Sequence, residues 1–479
     1  MSRPSYNMVE IARRVLRENG FDPDMPPGIE RSIPAQDPHE NAVDLRSLEW
    51  SSIDNEESRD LDQIEWAELR SGGEIRVLIG IADVDALAPK DSEIDRYAGT
   101  NTTTLYTGVH VFPMLPEELS TDRTSLLDDR DRLAVVTEFV VAENGELDDK
   151  QTKIYPARVR NHAKLVYERV GAWLEGHGEA PEGKGISSQV ALHDQAAQRL
   201  RRRRHEHGAL DFETIEARPV TQDGRVVDLV VVHKNRAREL VEDLMIAANG
   251  ATARFLEQRA SSSIRRIVRK PKRWDRIVEL AGAYGFTLPV EPSATALADF
   301  LDARRKAQPD KFQDLSLSVV KLIGPGEYAL QRATDPDTGH FGLAVDDYAH
   351  STAPNRRYPD LITQRLLKAC ATGGKAPYSD EELIAIAQHC TDRENAARKV
   401  ERTMRKVAAA LLLHDRIGEE FDGIITGSGP KGVFVRLFKT PTAEGRIVSH
   451  EQGLDVGDKV RVRLVDTEPN RGFIDFVRV

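Results

Sequence analysis

Five short strand-like runs crowd the last 60 or so residues, and they limit the fold more than any other feature. They are Phe421–Ile425, Gly432–Leu437, Gly445–Val448, Lys459–Leu464 and Gly472–Val477, with glycine turns and basic residues between them. Five strands in so short a span fit a small closed all-β barrel of the OB type. The segment before it, 379–417, is charge-laced and holds no Pro or Gly, which predicts one long helix. From Val43 onward the pattern is mixed. Ile75–Ala82, Leu133–Val141 and Val226–Val232 read as strands, and 192–206, 236–258, 274–284, 295–306 and 356–371 as helices. Strands fall both in neighbouring pairs and between helices, so an α+β arrangement is expected. Residues 7–19 form an amphipathic helix with Met8, Ile11, Ala12, Val15 and Leu16 on one face, and a Pro-rich acidic loop runs from Asp22 to about Glu40. The expected organisation is an N-terminal appendage (1–42), a mixed domain (43–375), a helical segment completing it (376–417) and the barrel (418–479).

Composition bounds the function classes. A net charge of -11 argues against a purely electrostatic nucleic-acid binder, but it is compatible with a basic channel inside an acidic shell. Cys370 and Cys390 form no CxxC pair, so neither a structural zinc site nor a disulfide framework is expected. The N-terminal stretch is polar, without the apolar run of a signal peptide. The longest apolar runs, such as Val407–Leu413, fall far short of the ~20 residues that span a bilayer. A cytoplasmic protein with no membrane contact is expected, and nothing calls for more than a monomer.

The stretch Ser52–Ile64 holds five carboxylates within nine residues: Asp54, Glu56, Glu57, Asp60 and Asp62. Like charges this close raise one another's pKa unless a cation compensates. An acidic loop is ordinarily a solvated loop. Here Ile53 and Ile64 bracket it and Leu61 stands between two aspartates, which points to partial burial. Oxygen-only donors select hard cations, magnesium or manganese. A calcium EF-hand would start at Asp54 and end at Glu65, but its turn position then holds Arg59 rather than Gly, and no amphipathic helix precedes it.

The run Ile53–Gln63 resembles the aspartate signature of the RNB catalytic domain, found in the ribonuclease II and ribonuclease R family. Further pieces follow in that family's order: Ile81–Val84, Gly99-Thr100 with Tyr106, Phe112–Glu117 with Leu119-Ser120, Asp131–Ala134, Gly208–Phe212 and Leu240–Asn249. The most specific is His340–Ala344, then Tyr348 and Ser351–Asp360. The C-terminal barrel looks like the S1-type domain that ends these enzymes. The likeness covers about residues 43–479. Three departures stand out: Gln63 takes the place of a fourth aspartate, Gly80 replaces a histidine, and only the helix at 7–19 stands where cold-shock-type domains usually precede.

The resemblance implies a processive 3′→5′ exoribonuclease that hydrolyses single-stranded RNA to 5′-nucleoside monophosphates. It implies that Asp54, Asp60 and Asp62 hold magnesium, or manganese, with Gln63 as a weaker or absent fourth ligand. Asp62, Asp60 and Arg356 are the expected catalytic residues, Arg356 meeting the phosphate. Tyr106 is the expected base-stacking clamp, and a sequence-blind stack suits a nonspecific nuclease. Phe212, Glu242, Arg357 and Phe434 complete the expected RNA contacts. Phe212 reads equally as core, and Glu242 equally as a ribose contact or a structural ion pair. Arg201–Arg204, Arg265, Arg266, Arg269, Lys270, Lys272 and Arg273 are candidates for a backbone track, with Arg436, Lys439 and Arg446 on the barrel. Glu65, two residues past Gln63 and on the same side of an extended chain, is a candidate to compensate for it. The alternatives are a catalytically impaired RNA-binding protein, for which Gln63 speaks, and a metal-dependent phosphodiesterase of another substrate.

Overall fold

The computed structural model describes residues 6–35, 42–213, 216–222, 225–232, 234–336, 338–430, 432–438 and 443–479, the stretches 216–222 and 225–232 by their backbone. Asn7 opens helix α1 (Met8–Glu18), its side chain accepting the N–H groups of Val9 and Glu10. The expected stripe Met8, Ile11, Ala12, Val15 and Leu16 is buried.

A six-stranded sheet follows. It contains β1 (Val43–Asp44), β2 (Trp50–Asp54), β3 (Gln63–Leu69) and β4 (Ile75–Ala82). After α2 (Glu93–Asn101) and the short hairpin of β5 (Leu105–Tyr106) and β6 (Val111–Phe112), it gains β7 (Asp131–Val141) and β8 (Lys153–Val166). The strand order is β1-β8-β2-β3-β4-β7, and β7 also pairs with β8. Strand β8 reaches both partners because it is long: 153–160 lie along β7 and 161–166 along β2. The sheet therefore curls back on itself.

Alternation along the strands gives the sheet two apolar faces. Ile53, Ala67, Val77, Ile79 and Phe139 pack under α3 (Tyr167–Leu174), α4 (Ile186–Glu206) and, past the hairpin β9 (Glu216–Gln222) and β10 (Arg225–Val232), α5 (Arg236–Glu257). A small satellite core joins α6 (Trp274–Ala283), α7 (Ala294–Ala307) and α8 (Pro309–Ile323), flanked by the pair β11 (Ser263–Ile267) and β12 (Glu327–Gln331). On the other sheet face, Trp50, Ile64, Leu78 and Val136 pack with α2, α9 (Tyr358–Thr372) and the start of α10 (Asp380–His414).

Helix α10 has 35 residues, so it is ~52 Å long. Ser379 and Glu382 close a capping box at its start. Its first half, with Leu383, Ala387 and Cys390, belongs to the sheet's core. Its second half, from Ala397 to Leu413, shares a core with α1, with Leu105 and Phe112 of the β5–β6 hairpin, and with the barrel. One helix thus ties the barrel to the larger body. The barrel is closed, in the order β13 (Glu420–Gly429), β14 (Gly432–Leu437), β15 (Glu444–Ser449), β17 (Phe473–Arg478), β16 (Lys459–Glu468). Its closure depends on Gly445, where a Cβ would sit 2.5 Å from the Phe476 ring. The α+β arrangement and the five-stranded barrel agree with the sequence. Among the described residues, no helix is long and apolar enough to cross a membrane.

Candidate active site

The acidic stretch is the connection from the end of β2 to the start of β3, and it is pinned from several sides. Leu61 is fully buried, and its N–H donates to Ser125 Oγ at 2.9 Å, which in turn donates to the Arg59 carbonyl. Lys164 of β8 donates to the carbonyls of Glu56 and Ser58 at 2.8 and 2.6 Å. Arg238 of α5 reaches Asn55 Oδ1 at 3.0 Å and lies over the Tyr167 ring. The loop is fixed rather than free in water, against the ordinary fate of an acidic run.

Asp62 is 2% exposed. Its Oδ1 accepts the Asn355 N–H at 2.9 Å, and its Oδ2 accepts Arg356 Nε at 3.0 Å. Arg356 is held by its own backbone: its carbonyl accepts Thr104 N–H and Thr103 Oγ1. Its side chain is 42% exposed, and beyond Nε its two terminal nitrogens have no partner among the described residues. Two unpaired guanidinium nitrogens make a fork suited to a phosphate. Tyr106, at the end of β5, is also 42% exposed and donates its hydroxyl to Asp60 Oδ2 at 2.7 Å. Residues far apart in the chain, Asp54, Asp60, Asp62, Tyr106 and Arg356, therefore meet at one end of the sheet.

The site is short of positive charge. Burial pushes the Asp62 carboxyl up to about 7, with Asp60 and Asp360 adding to it, against the pull of Arg356 and the Asn355 N–H. Burial likewise lifts Asp54 to about 6, against Ser52, Lys164 and Arg356, with Asp60 adding. Among the described residues, Asp54 Oδ2 is buried without a hydrogen-bond partner. An orphaned carboxylate oxygen beside two more aspartates suits a hard cation. Among the described residues, however, no three His, Cys, Asp or Glu side chains already stand as a chelating group. Asp62 is turned to Arg356 and Asp60 to Tyr106. Gln63 begins β3, is mostly buried and lies opposite Ile81.

The remaining expected contacts are spread more widely. Arg357 donates to Asp360 at 2.7 Å, and Asp360 is fully buried, so Arg357 braces the turn before α9. Glu242, half-exposed on α5, pairs with Lys234 at 2.7 Å. Phe212 packs against the satellite core of α6–α8. Phe434 lies on the outer face of the barrel, opposite Arg446. Arg436 is tied to Asp314 of α8, and Lys439 lies outside the described residues. The expected basic track is largely neutralised: Arg201 pairs with Glu239 and Asp211, Arg203 with Glu146, Arg204 with Asp243, Arg266 with Glu394 and Arg269 with Glu327. Lys270, Lys272 and Arg273 stay exposed. Lys164, Arg238, Ser125 and Asn355 were not foreseen. Each joins the site from more than 60 positions away in the chain, and no local pattern marks such a contact.

Comparison with known proteins agrees with this geometry. The RNB domain pattern matches residues 42–373, and the RNase II-type exonuclease C-terminal S1 domain matches 419–479. Ribonuclease R of Vibrio cholerae is 32% identical over 429 residues, covering 86% of this chain and 51% of that protein. The chain spans about half the length of the curated relatives it matches. The apo form of Mycoplasma genitalium RNase R superposes with a TM-score of 0.88 at 21% identity, covering 99% of this chain and 78% of the other. Yeast Ssd1, described as a pseudonuclease, superposes with a TM-score of 0.72 at 15% identity, covering 96% and 57%. At such identities the structural likeness speaks for the fold alone. With its motifs in order and the match running over more than half its length, the chain belongs to the RNB domain family and carries an S1-type barrel behind the catalytic fold.

Proposed function

We propose that this protein is a processive 3′→5′ exoribonuclease of the cytoplasm, acting as a monomer on single-stranded RNA and releasing 5′-nucleoside monophosphates with magnesium, or manganese in its place. The observation that carries the proposal is the pair of Asp62 and Arg356, 294 positions apart, which joins the acidic loop to a guanidinium whose outer nitrogens are free. Asp62 orients Arg356, and Arg356 binds the phosphate that carries the scissile bond. Tyr106 offers its ring to the terminal base, while its hydroxyl is anchored on Asp60. Asp54, Asp60 and Asp62, with the Gln63 amide oxygen, are the groups that would hold the cation. Such an ion, when bound, polarises phosphate oxygens and makes water a better nucleophile. Glu242 is the candidate for reading a ribose hydroxyl, which separates RNA from DNA. Arg357 braces the Arg356 turn, Phe434 extends the RNA path on the barrel, and Phe212 backs it from the satellite core.

The alternative is a catalytically impaired RNA-binding protein. Gln63 favours it, since the fourth carboxylate is gone while Asp60 and Asp62 are already engaged. The test is incubation of 5′-labelled single-stranded RNA with the protein and magnesium, beside Asp62→Asn and beside a DNA of equal sequence. Short RNA products from the wild type alone support the enzyme. Tight RNA binding with no products from either protein supports the alternative.

A further inference from the structure

Glu65 sits in the middle of β3, opposite Ser51 of β2, with none of its surface exposed. Neither of its carboxylate oxygens has a hydrogen-bond partner, and no lysine or arginine pairs with it among the described residues. Ser51 Oγ beside it has no partner among the described residues either. Buried carboxyl groups are almost always paired or bound to a cation, because both oxygens otherwise lose water without replacement. Tyr167, where α3 leaves β8, stands within electrostatic reach of both Glu65 and Asp54. Among the described residues, Asp54 Oδ2 is likewise buried without a hydrogen-bond partner.

The strand's period of two puts Glu65 on the same face as Gln63, roughly 7 Å further along β3. Gln63 is the position at which this chain lacks the family's fourth aspartate. One carboxylate is thus missing from the ligand set at Gln63, and one buried carboxyl without a partner among the described residues stands two positions on. We propose that Glu65 supplies the carboxylate charge that Gln63 withholds, so that the fourth anionic group of this chain's cation site is Glu65. Glu65 is a positioning residue: it acts through the field at the ion and through Asp54, which lies within its electrostatic reach. A partner just outside the ligand set typically changes metal affinity 10–100-fold. The inference rests on the metal-dependent nuclease reading above.

Manganese binding by the full chain without RNA, followed by paramagnetic resonance of the free ion, tests it with no turnover involved. Glu65→Gln is isosteric and removes only the charge. We expect it to weaken manganese binding about 10–100-fold, and Gln63→Asp added to it to restore binding to within a few-fold of wild type. Gln63→Asp/Glu65→Leu, with an apolar side chain filling the buried space, should bind like wild type as well, which keeps the test sound if Glu65→Gln folds poorly. Wild-type affinity in a folded Glu65→Gln protein overturns the inference while leaving the nuclease reading intact. So does a double variant that fails to recover. A wild-type chain that takes up no manganese removes both.

Discussion

Replacing Arg356 by alanine separates the two roles of its guanidinium. Its Nε donates to Asp62 Oδ2 at 3.0 Å, and its outer nitrogens have no partner among the described residues. Asp62 is 2% exposed, so loss of that donor leaves a buried oxygen one hydrogen bond short, which costs about 1–3 kcal/mol. The heavier penalty for a stranded buried charge, about 3–5 kcal/mol, is not reached. Burial already holds Asp62 at about 7, and Arg356 pulls it down. Without Arg356 the carboxyl rises further and takes a proton near neutrality instead of staying charged. The Asn355 N–H remains on the other oxygen. The expected loss of stability is therefore at the low end, about 1–2 kcal/mol, read as a shift in the urea midpoint at constant slope. The catalytic loss is larger. Removing one preorganised donor to developing charge typically costs 10²–10³-fold in kcat, or about 2.7–4 kcal/mol. Arg356→Lys keeps the charge but not the fork, and recovers part of it. Single-turnover hydrolysis of labelled RNA gives the rate. A folded Arg356→Ala enzyme within threefold of wild type refutes the phosphate role. A stability loss well above 3 kcal/mol marks Arg356 as structural first.

Tyr106→Ala should raise the KM for RNA by the ~1–3 kcal/mol of one lost base stack, whereas Tyr106→Phe, which keeps the ring and frees Asp60, should bind nearly as wild type; equal KM values for the two variants contradict the clamp. Leu16→Ala, at a fully buried position of α1, should cost about 2–5 kcal/mol; because α1 backs Leu105 and Phe112 of the Tyr106 hairpin, KM should rise more than kcat falls, and an unchanged KM denies that α1 supports the hairpin. His193 is fully buried, neither ring nitrogen has a partner among the described residues, and burial pushes it down to about 3. Between about 3 and the unfolded value near 6.5 the unfolded chain binds the extra proton, so stability falls as pH falls through that window, by about 2 kcal/mol from this group at pH 5. The denaturation midpoint of His193→Leu should accordingly drop less than that of wild type between pH 7.5 and pH 5, and parallel losses in the two proteins contradict the assignment.

The long periodic elements were plain in the sequence. Helix α10 spans 380–414 against an expected 379–417, α5 spans 236–257 against 236–258, and each barrel run became a strand. In these the apolar period, the caps and the glycine turns all agree. Other elements gave no such agreement. β8 carries Pro156 and a polar, basic exterior, so no strand was expected over its 14 residues, although its length is what curls the sheet. Helices α2 and α3 have only 9 and 8 residues, too few for a clear period. α8, which begins on Pro309, went unseen as well. At the site, Asp54, Asp60, Asp62, Tyr106 and Arg356 were legible because ordered motifs carry them. Lys164 and Arg238 were not, because a hydrogen bond to a backbone carbonyl or a side-chain amide across more than 100 positions leaves no trace in local spacing. The ion pairs that most of the basic clusters make were not legible, for the same reason. Their acidic partners lie elsewhere in the chain and cancel them only once it is folded.

Direction of cleavage tests the central proposal most directly. The same RNA is labelled at its 5′ end in one sample and at its terminal 3′ internucleotide phosphate in another, and both are incubated with the protein and magnesium. A 3′→5′ hydrolase releases the 3′ label at once as a 5′-nucleoside monophosphate, while the 5′ label stays on long RNA until it appears in a short end product. Asp62→Asn should release neither. Internal fragments from both labels, early mononucleotide from the 5′ end, or intact RNA in both samples would contradict the account.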